Sequence, residues 1–88
     1  LDSVQASEFL QITERFRQKI FRLSKRLLVS TEEAEDATQE VIAKLWSRRD
    51  AFAQWQNVEA MALKMTRNYC LDQLKARRSG NLRIEEQP

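Results

Sequence analysis

Apolar residues recur along this chain at steps of three and four, the period of an α-helix buried on one side. From about Ser7 to Leu28, the residues Phe9, Ile12, Phe16, Ile20, Leu23 and Leu27 form one stripe. Glu14, Arg15, Arg17, Lys19, Arg22 and Lys25 fill much of the rest, as on a solvated face. The spacing predicts one continuous helix, with Phe21 off the stripe toward a second neighbour. Ser30-Thr31-Glu32-Glu33 then reads as a capping box, with Ser30 as N-cap and Glu33 reaching back to it. Behind it, Ala34, Ala37, Val41 and Leu45 give a buried stripe, with Ile42 and Trp46 on an adjoining face. The small alanines admit a close neighbour, and the helix is expected to end near Ser47 to Arg49.

Residues 49–57 have no clean period and predict a connecting loop with room for a short helical turn. Phe52 and Trp55 are unusual there, because loops are normally polar. A third helix is expected from an Asn57 N-cap to about Arg78. Its main stripe is Val58, Met61, Ala62, Met65 and Tyr69. Leu63, Cys70 and Leu74 form a second stripe about 120° away. Two stripes need neighbours on two sides, so the expected fold is all-α, a small bundle of three or more helices.

Composition narrows the function. At 88 residues the chain is one domain at most. Its single Gly and single Pro, Gly80 and Pro88, leave residues 1–79 without the usual hairpin turns. There is no His, hence no imidazole base, no Ser/His pair and no His metal ligand. The lone Cys70 makes neither an intrachain disulfide nor a zinc site, and it fits a reducing compartment, the cytoplasm. No Gly-rich phosphate loop and no apolar run of about 18 residues is present. The expectation is a non-enzymatic protein without cofactor or metal.

The net charge of +2 hides a strong segregation. Residues 1–29 carry six Lys/Arg against three acids, residues 30–47 one against five, and residues 48–84 eight against three. Such alternation suits two partners, a polyanion and a basic protein surface. Glu32, Glu33 and Glu35 are accounted for by the dipole at a helix start, at about 0.3–1 kcal/mol each. Glu40 lies too far along for that, and with Asp36, Gln39 and Lys44 it leaves a polar ridge fit for docking. On the third helix, Lys64, Asn68, Leu71, Lys75 and Arg78 share one face. Arg67 borders it, and Arg77 and Arg83 add charge near the helix end. This is the pattern of a phosphate track with salt-dependent binding. Mid-helix Asn68 costs up to ~0.7 kcal/mol relative to Ala, and its amide suits a base edge. Phe52 and Trp55 offer flat surfaces for unstacked bases, at ~1–3 kcal/mol per base.

Two of these segments resemble a known family. Glu33 to Trp46 (EAEDATQEVIAKLW) resembles the "EAED-x-x-QE-V-F-x-K-L-W" segment of region 2 in extracytoplasmic-function (ECF) sigma factors of RNA polymerase. Ala62 to Arg78 (ALKMTRNYCLDQLKARR) is similar to that family's "W-L-x-x-I-A-R-N-x-x-x-D-x-L-R" helix, and Phe9 to Arg26 fits the helix before both. The resemblance covers residues 5–79, with 80–88 as the start of an interdomain linker. It implies an acidic helix docking on the clamp coiled coil of the polymerase's largest subunit, through Asp36, Gln39, Glu40, Ile42 and Trp46. It also implies a loop, Phe52 to Met61, that holds a base flipped from the promoter −10 element. Asn68 would sit beside that pocket, and Lys64, Arg67, Lys75, Arg77 and Arg78 would follow the DNA backbone. With Phe52, Trp55 and Met61, these make the expected DNA-binding set. A bacterial cytoplasmic factor with an anti-sigma partner is implied, together with a second, −35-reading helix-turn-helix domain outside this chain. Departures fall at Met61, where the family has Trp, and at Met65-Thr66, where it has Ile-Ala; both put base preference in doubt rather than fold. The alternative is a helical protein-interaction bundle, an adaptor or anti-sigma-like regulator, that binds no DNA; a helix-turn-helix repressor lacks its tight turn here.

Overall fold

The long first stripe folds as helix, but in two pieces. A computed structural model, describing residues 5–54 and 57–86, gives α1 (Ala6–Glu14) and α2 (Arg17–Leu28) where one helix was expected. The break is local, and the side-chain bond beside it is one that Thr38 and Thr66 also make without interrupting their own helices. The Thr13 hydroxyl donates to the Phe9 carbonyl at 3.0 Å, drawing on an acceptor of the helical ladder. The Phe16 N–H then turns back to the Thr13 carbonyl at 3.1 Å, and Phe16 leaves helical geometry at φ −123° and ψ 8°. Both Phe9 and Phe16 stay buried across the kink.

The connection from α2 to α3 (Thr31–Ser47) takes two residues, Val29 and Ser30. Val29 closes α2 in the left-handed region, at φ 71° and ψ −17°, with its N–H on the Lys25 carbonyl at 2.7 Å. A β-branched residue is poorly suited to that conformation, which glycine adopts freely. Buried Leu28 before it and the cap after it hold it there. Ser30 accepts the Glu33 N–H at 3.2 Å, as expected. The other half of the box is not made: the Glu33 carboxylate pairs with Arg77 instead.

A 3-10 helix (Arg49–Gln54) fills the expected loop, and α4 (Val58–Glu86) follows an Asn57 side chain that caps the Ala60 N–H at 2.9 Å. α4 runs past the expected end at Arg78, through Gly80. Glycine in a helix costs only about 1 kcal/mol against alanine, too little to stop it. The segment expected to begin a linker is therefore helical as far as Glu86. All regular elements among the described residues are helical, in an all-α bundle. No described helix is long and apolar enough to cross a membrane.

Lys19 near the start of α2 bonds Glu59 near the start of α4 at 2.6 Å, while Glu33 at the start of α3 meets Arg77 late in α4. α2 and α4 thus run parallel, and α3 runs against them. Ile20, Val41, Leu45 and Ala62 are fully buried between the three, joined by Phe9, Phe16 and Phe52. Leu28, Ala37 and Cys70 close a second cluster toward the other end. Burial pushes the Cys70 thiol above its ordinary pKa, opposed by the neighbouring Ser24 hydroxyl, as in an unreactive core cysteine.

Two substitutions test this account by urea unfolding. Leu45→Ala is expected to cost about 2–5 kcal/mol, as for a buried leucine whose site cannot collapse. Val29→Gly is expected to stabilise by about 1 kcal/mol, through relief of the left-handed valine. A midpoint that falls for Val29→Gly refutes the strain.

Candidate functional site

α3 buries one face and presents the other. Ala34, Ala37, Val41 and Leu45 are fully buried, and at helical pitch this turns Asp36, Gln39, Glu40 and Ala43 to solvent. The five docking candidates occupy this outer half as two edges. Asp36 and Glu40 lie toward α4, and Ile42 and Trp46 lie toward α1, with Gln39 between them. The acidic edge meets Tyr69 of α4. Burial first, then the Glu40 and Asp36 carboxylates, hold the Tyr69 phenol above the ordinary tyrosine value, and Lys44 sits 5.3 Å over its ring. Tyr69 reads as part of an apolar stripe in the sequence. Its place in the acidic edge becomes visible only once α3 and α4 are seen to pack antiparallel.

The other edge is apolar. Ile42, Ala43 and Trp46 line an open groove of about 410 Å³ with Ala6, Phe9 and Leu10. Trp46, 36% exposed, packs edge-on against Phe9 with centroids 5.1 Å apart. Arg49 lies over its other side at 3.8 Å and donates to the Trp46 carbonyl at 2.7 Å. One face of the indole is therefore taken by the chain's own guanidinium. Arg49 follows the last helical turn in the sequence and carried no signal for this role.

α4 exposes its row as the spacing predicts. Lys64, Arg67, Asn68, Leu71, Lys75 and Arg78 are all exposed, opposite buried Ala62, Thr66 and Cys70. Asn68, Leu71, Lys75 and Arg78 line an open trough of about 520 Å³, where Asp72 places a carboxylate at the edge. Arg77 departs from this row. It lies on the α3 side and pairs with Glu33, each side chain 45% exposed, so its charge is matched within the chain.

The aromatic candidates are divided. Phe52 is a correction: only 7% exposed, it stacks on Phe9 with centroids 6.1 Å apart and belongs to the core. The 3-10 turn delivers it inward, which an aperiodic segment does not reveal. Met61 is half-buried at the first turn of α4. Trp55 lies outside the described residues, as does the side chain of Arg83. Among the described residues, no three carboxylate or thiol groups converge to hold a metal ion.

Residues 12–80 match the family model for sigma-70 region 2. The chain belongs to that family. No curated protein and no solved structure matches it. Sigma-70 region 2 is a domain of non-enzymatic transcription initiation factors, with a role in promoter recognition that joins RNA polymerase core to promoter DNA. This region 2 domain carries one basic and one acidic exposed face.

Tyr69, the single tyrosine, reports on the acidic edge. Asp36→Asn with Glu40→Gln is expected to lower its pKa in ultraviolet titration, though only in part, since burial is the larger cause. Above pH about 10 the folded chain keeps a proton that the unfolded chain loses, so this group's contribution to stability falls as pH rises. An unmoved titration curve detaches Tyr69 from the two acids.

Proposed function

We propose that this chain is the promoter-melting domain of a bacterial ECF-class sigma factor, working in the cytoplasm. The observation that carries this reading is the pair of opposed exposed surfaces, acidic on α3 and basic on α4, held apart by the core between them. α3 docks on the clamp coiled coil of the polymerase's largest subunit, with Asp36 and Glu40 meeting basic residues and Ile42 and Trp46 adding apolar contact. Gln39 bridges the two edges. Charge complementarity of this kind sets partner choice and approach rate more than raw affinity.

On the other side, Lys64, Arg67, Lys75 and Arg78 draw the DNA backbone to α4. A base of the −10 element is captured by the residues that lead into α4, with Met61 at the floor and Trp55 as the stacking surface. Asn68 reads an edge of that base. Capture offsets unstacking, which costs a few kcal/mol per base. No nucleotide is hydrolysed in this scheme. Residues 5–79 form the working domain, and the helical stretch beyond residue 80 begins the link to a −35-reading domain. An anti-sigma factor is the natural regulator, and the exposed apolar groove beside Trp46 is available to it when polymerase is absent.

Charge reversal at Asp36 and Glu40 together is expected to abolish capture of the clamp coiled coil in a pull-down, with helicity by circular dichroism unchanged. Retained capture removes the docking assignment. Asn68→Ala is expected to weaken discrimination at one position of single-stranded −10 oligonucleotides by about 1–3 kcal/mol, more than it weakens overall affinity. Equal loss for every base makes Asn68 a structural residue.

A further inference from the structure

The twelve residues of α2 (Arg17–Leu28) carry five Lys/Arg and no acid. The docking and base-capture scheme above uses none of these charges. At helical pitch, Lys19, Arg22 and Arg26 fall in one row, at steps of three and four, opposite buried Ile20, Ser24 and Leu28. All three are exposed. Arg22 and Arg26 form no ion pair among the described residues, and Lys19 pairs with Glu59 at 2.6 Å.

That pair also fixes where the row lies. It ties the start of α2 to the start of α4, and the two helices run parallel from there. Arg67, on the flank of α4 that turns toward α2, continues the positive surface from one helix to the other. Of the acids of α3, Glu33 pairs with Arg77, Asp36 and Glu40 lie by Tyr69, and Glu35 lines a groove with Arg17, Gln18 and Phe21, on the side of α2 away from this row. A polyanion lying along α4 therefore passes beside a second line of cations, one interhelical distance away, about 8–10 Å.

We propose that α2 is a second phosphate-binding track for the DNA that α4 engages. The row from Lys19 to Arg26 covers about 10 Å of helix rise. That is the axial span of about three phosphates on one B-form strand. Arg22 and Arg26 place two unpaired cations on that span, with Lys19 shared with Glu59 at its start. Two neighbouring arginines with no ion pair among the described residues cost self-repulsion in the free domain, which phosphate contact relieves. The inference rests on reading the α4 face as DNA-binding, and it enlarges that face from one helix to two.

The test uses the full-length factor assembled with polymerase core, and Arg22→Gln with Arg26→Gln, two exposed and unpaired positions. Binding to a −10 oligonucleotide, as duplex and as single strand, is measured against salt. The slope of log affinity on log salt is expected to become shallower by about 1.4 on single strands or 1.8 on duplex. Affinity near 0.1 M salt is expected to fall about 25- to 60-fold, with core binding unchanged. Loss on either form supports the track, and the form affected identifies the strand state it holds. An unchanged slope here, while Lys64→Gln with Lys75→Gln makes it shallower, overturns the α2 track and leaves the α4 reading standing. No change from either pair overturns both. Loss of core binding by the α2 variant also overturns the proposal, since it assigns the row to polymerase.

Discussion

Everything in this domain depends on the inner face of α3 being made of small and aliphatic side chains. Ala34, Ala37, Val41 and Leu45 are fully buried, so α3 is wedged between α2 and α4, and the polar side chain buried with them, Thr38, spends its hydroxyl on the Ala34 carbonyl at 2.7 Å. A buried unpaired carboxylate costs far more than any single helix contact repays. The acids of residues 30–47 are consequently forced outward, where they make a surface. The same constraint acts in reverse on α2 and α4, whose packed faces carry no charge and whose charged residues are left outside. Segregation of charge in three dimensions thus follows from hydrophobic patterning plus a three-helix arrangement.

The ion pairs that join the helices do not compete with that constraint. Lys19–Glu59 and Glu33–Arg77 are well exposed, with side chains 36–54% accessible. Pairs of this kind contribute on the order of 0–1 kcal/mol. The core has to define the geometry, since two fully buried aliphatic side chains outweigh both pairs. What the pairs do is select which charges remain unmatched. Glu33 and Arg77 cancel each other at one end of the α3–α4 seam, and Glu59 tempers Lys19. Asp36, Glu40, Lys64, Lys75, Arg22 and Arg26 have no such match among the described residues, which leaves their charges for other molecules.

Much of this was legible in the chain. Periodicity placed the buried stripe of α3 residue by residue, and it placed the exposed row on α4, because both depend only on 3.6-residue spacing. The Ser30 and Asn57 caps were legible for the same local reason. What failed was set by competition or by distance in sequence. The first helix breaks at Phe16, whose N–H turns back to the Thr13 carbonyl, and the apolar period, with Phe16 on its stripe, does not register that. Glu33 abandons the capping box because Arg77, forty-four residues away, offers a better partner. Phe52 was misplaced, and the acidic neighbours of Tyr69 were not foreseen although its packing was, for a shared reason. Each lies where its neighbours come from another element, so the local pattern could not say what it meets.

The burial of Phe52 bears on base capture as much as its exposure would have. A loop that catches a flipped base must offset the unstacking of that base, a few kcal/mol. It must also offset its own ordering, about 1–2 kcal/mol for each backbone residue fixed on binding. Phe52 stacks on Phe9, and Phe9 in turn meets the edge of Trp46. Arg49 clasps Trp46 by a carbonyl bond and by stacking, at the start of the same 3-10 turn. Residues 49–52 are therefore ordered before any DNA arrives, and their entropy has been met by core packing. On the proposed reading, Phe52 serves capture without touching a base: it fixes the approach to α4, so that stacking energy from the next residues is spent on the base rather than on the loop.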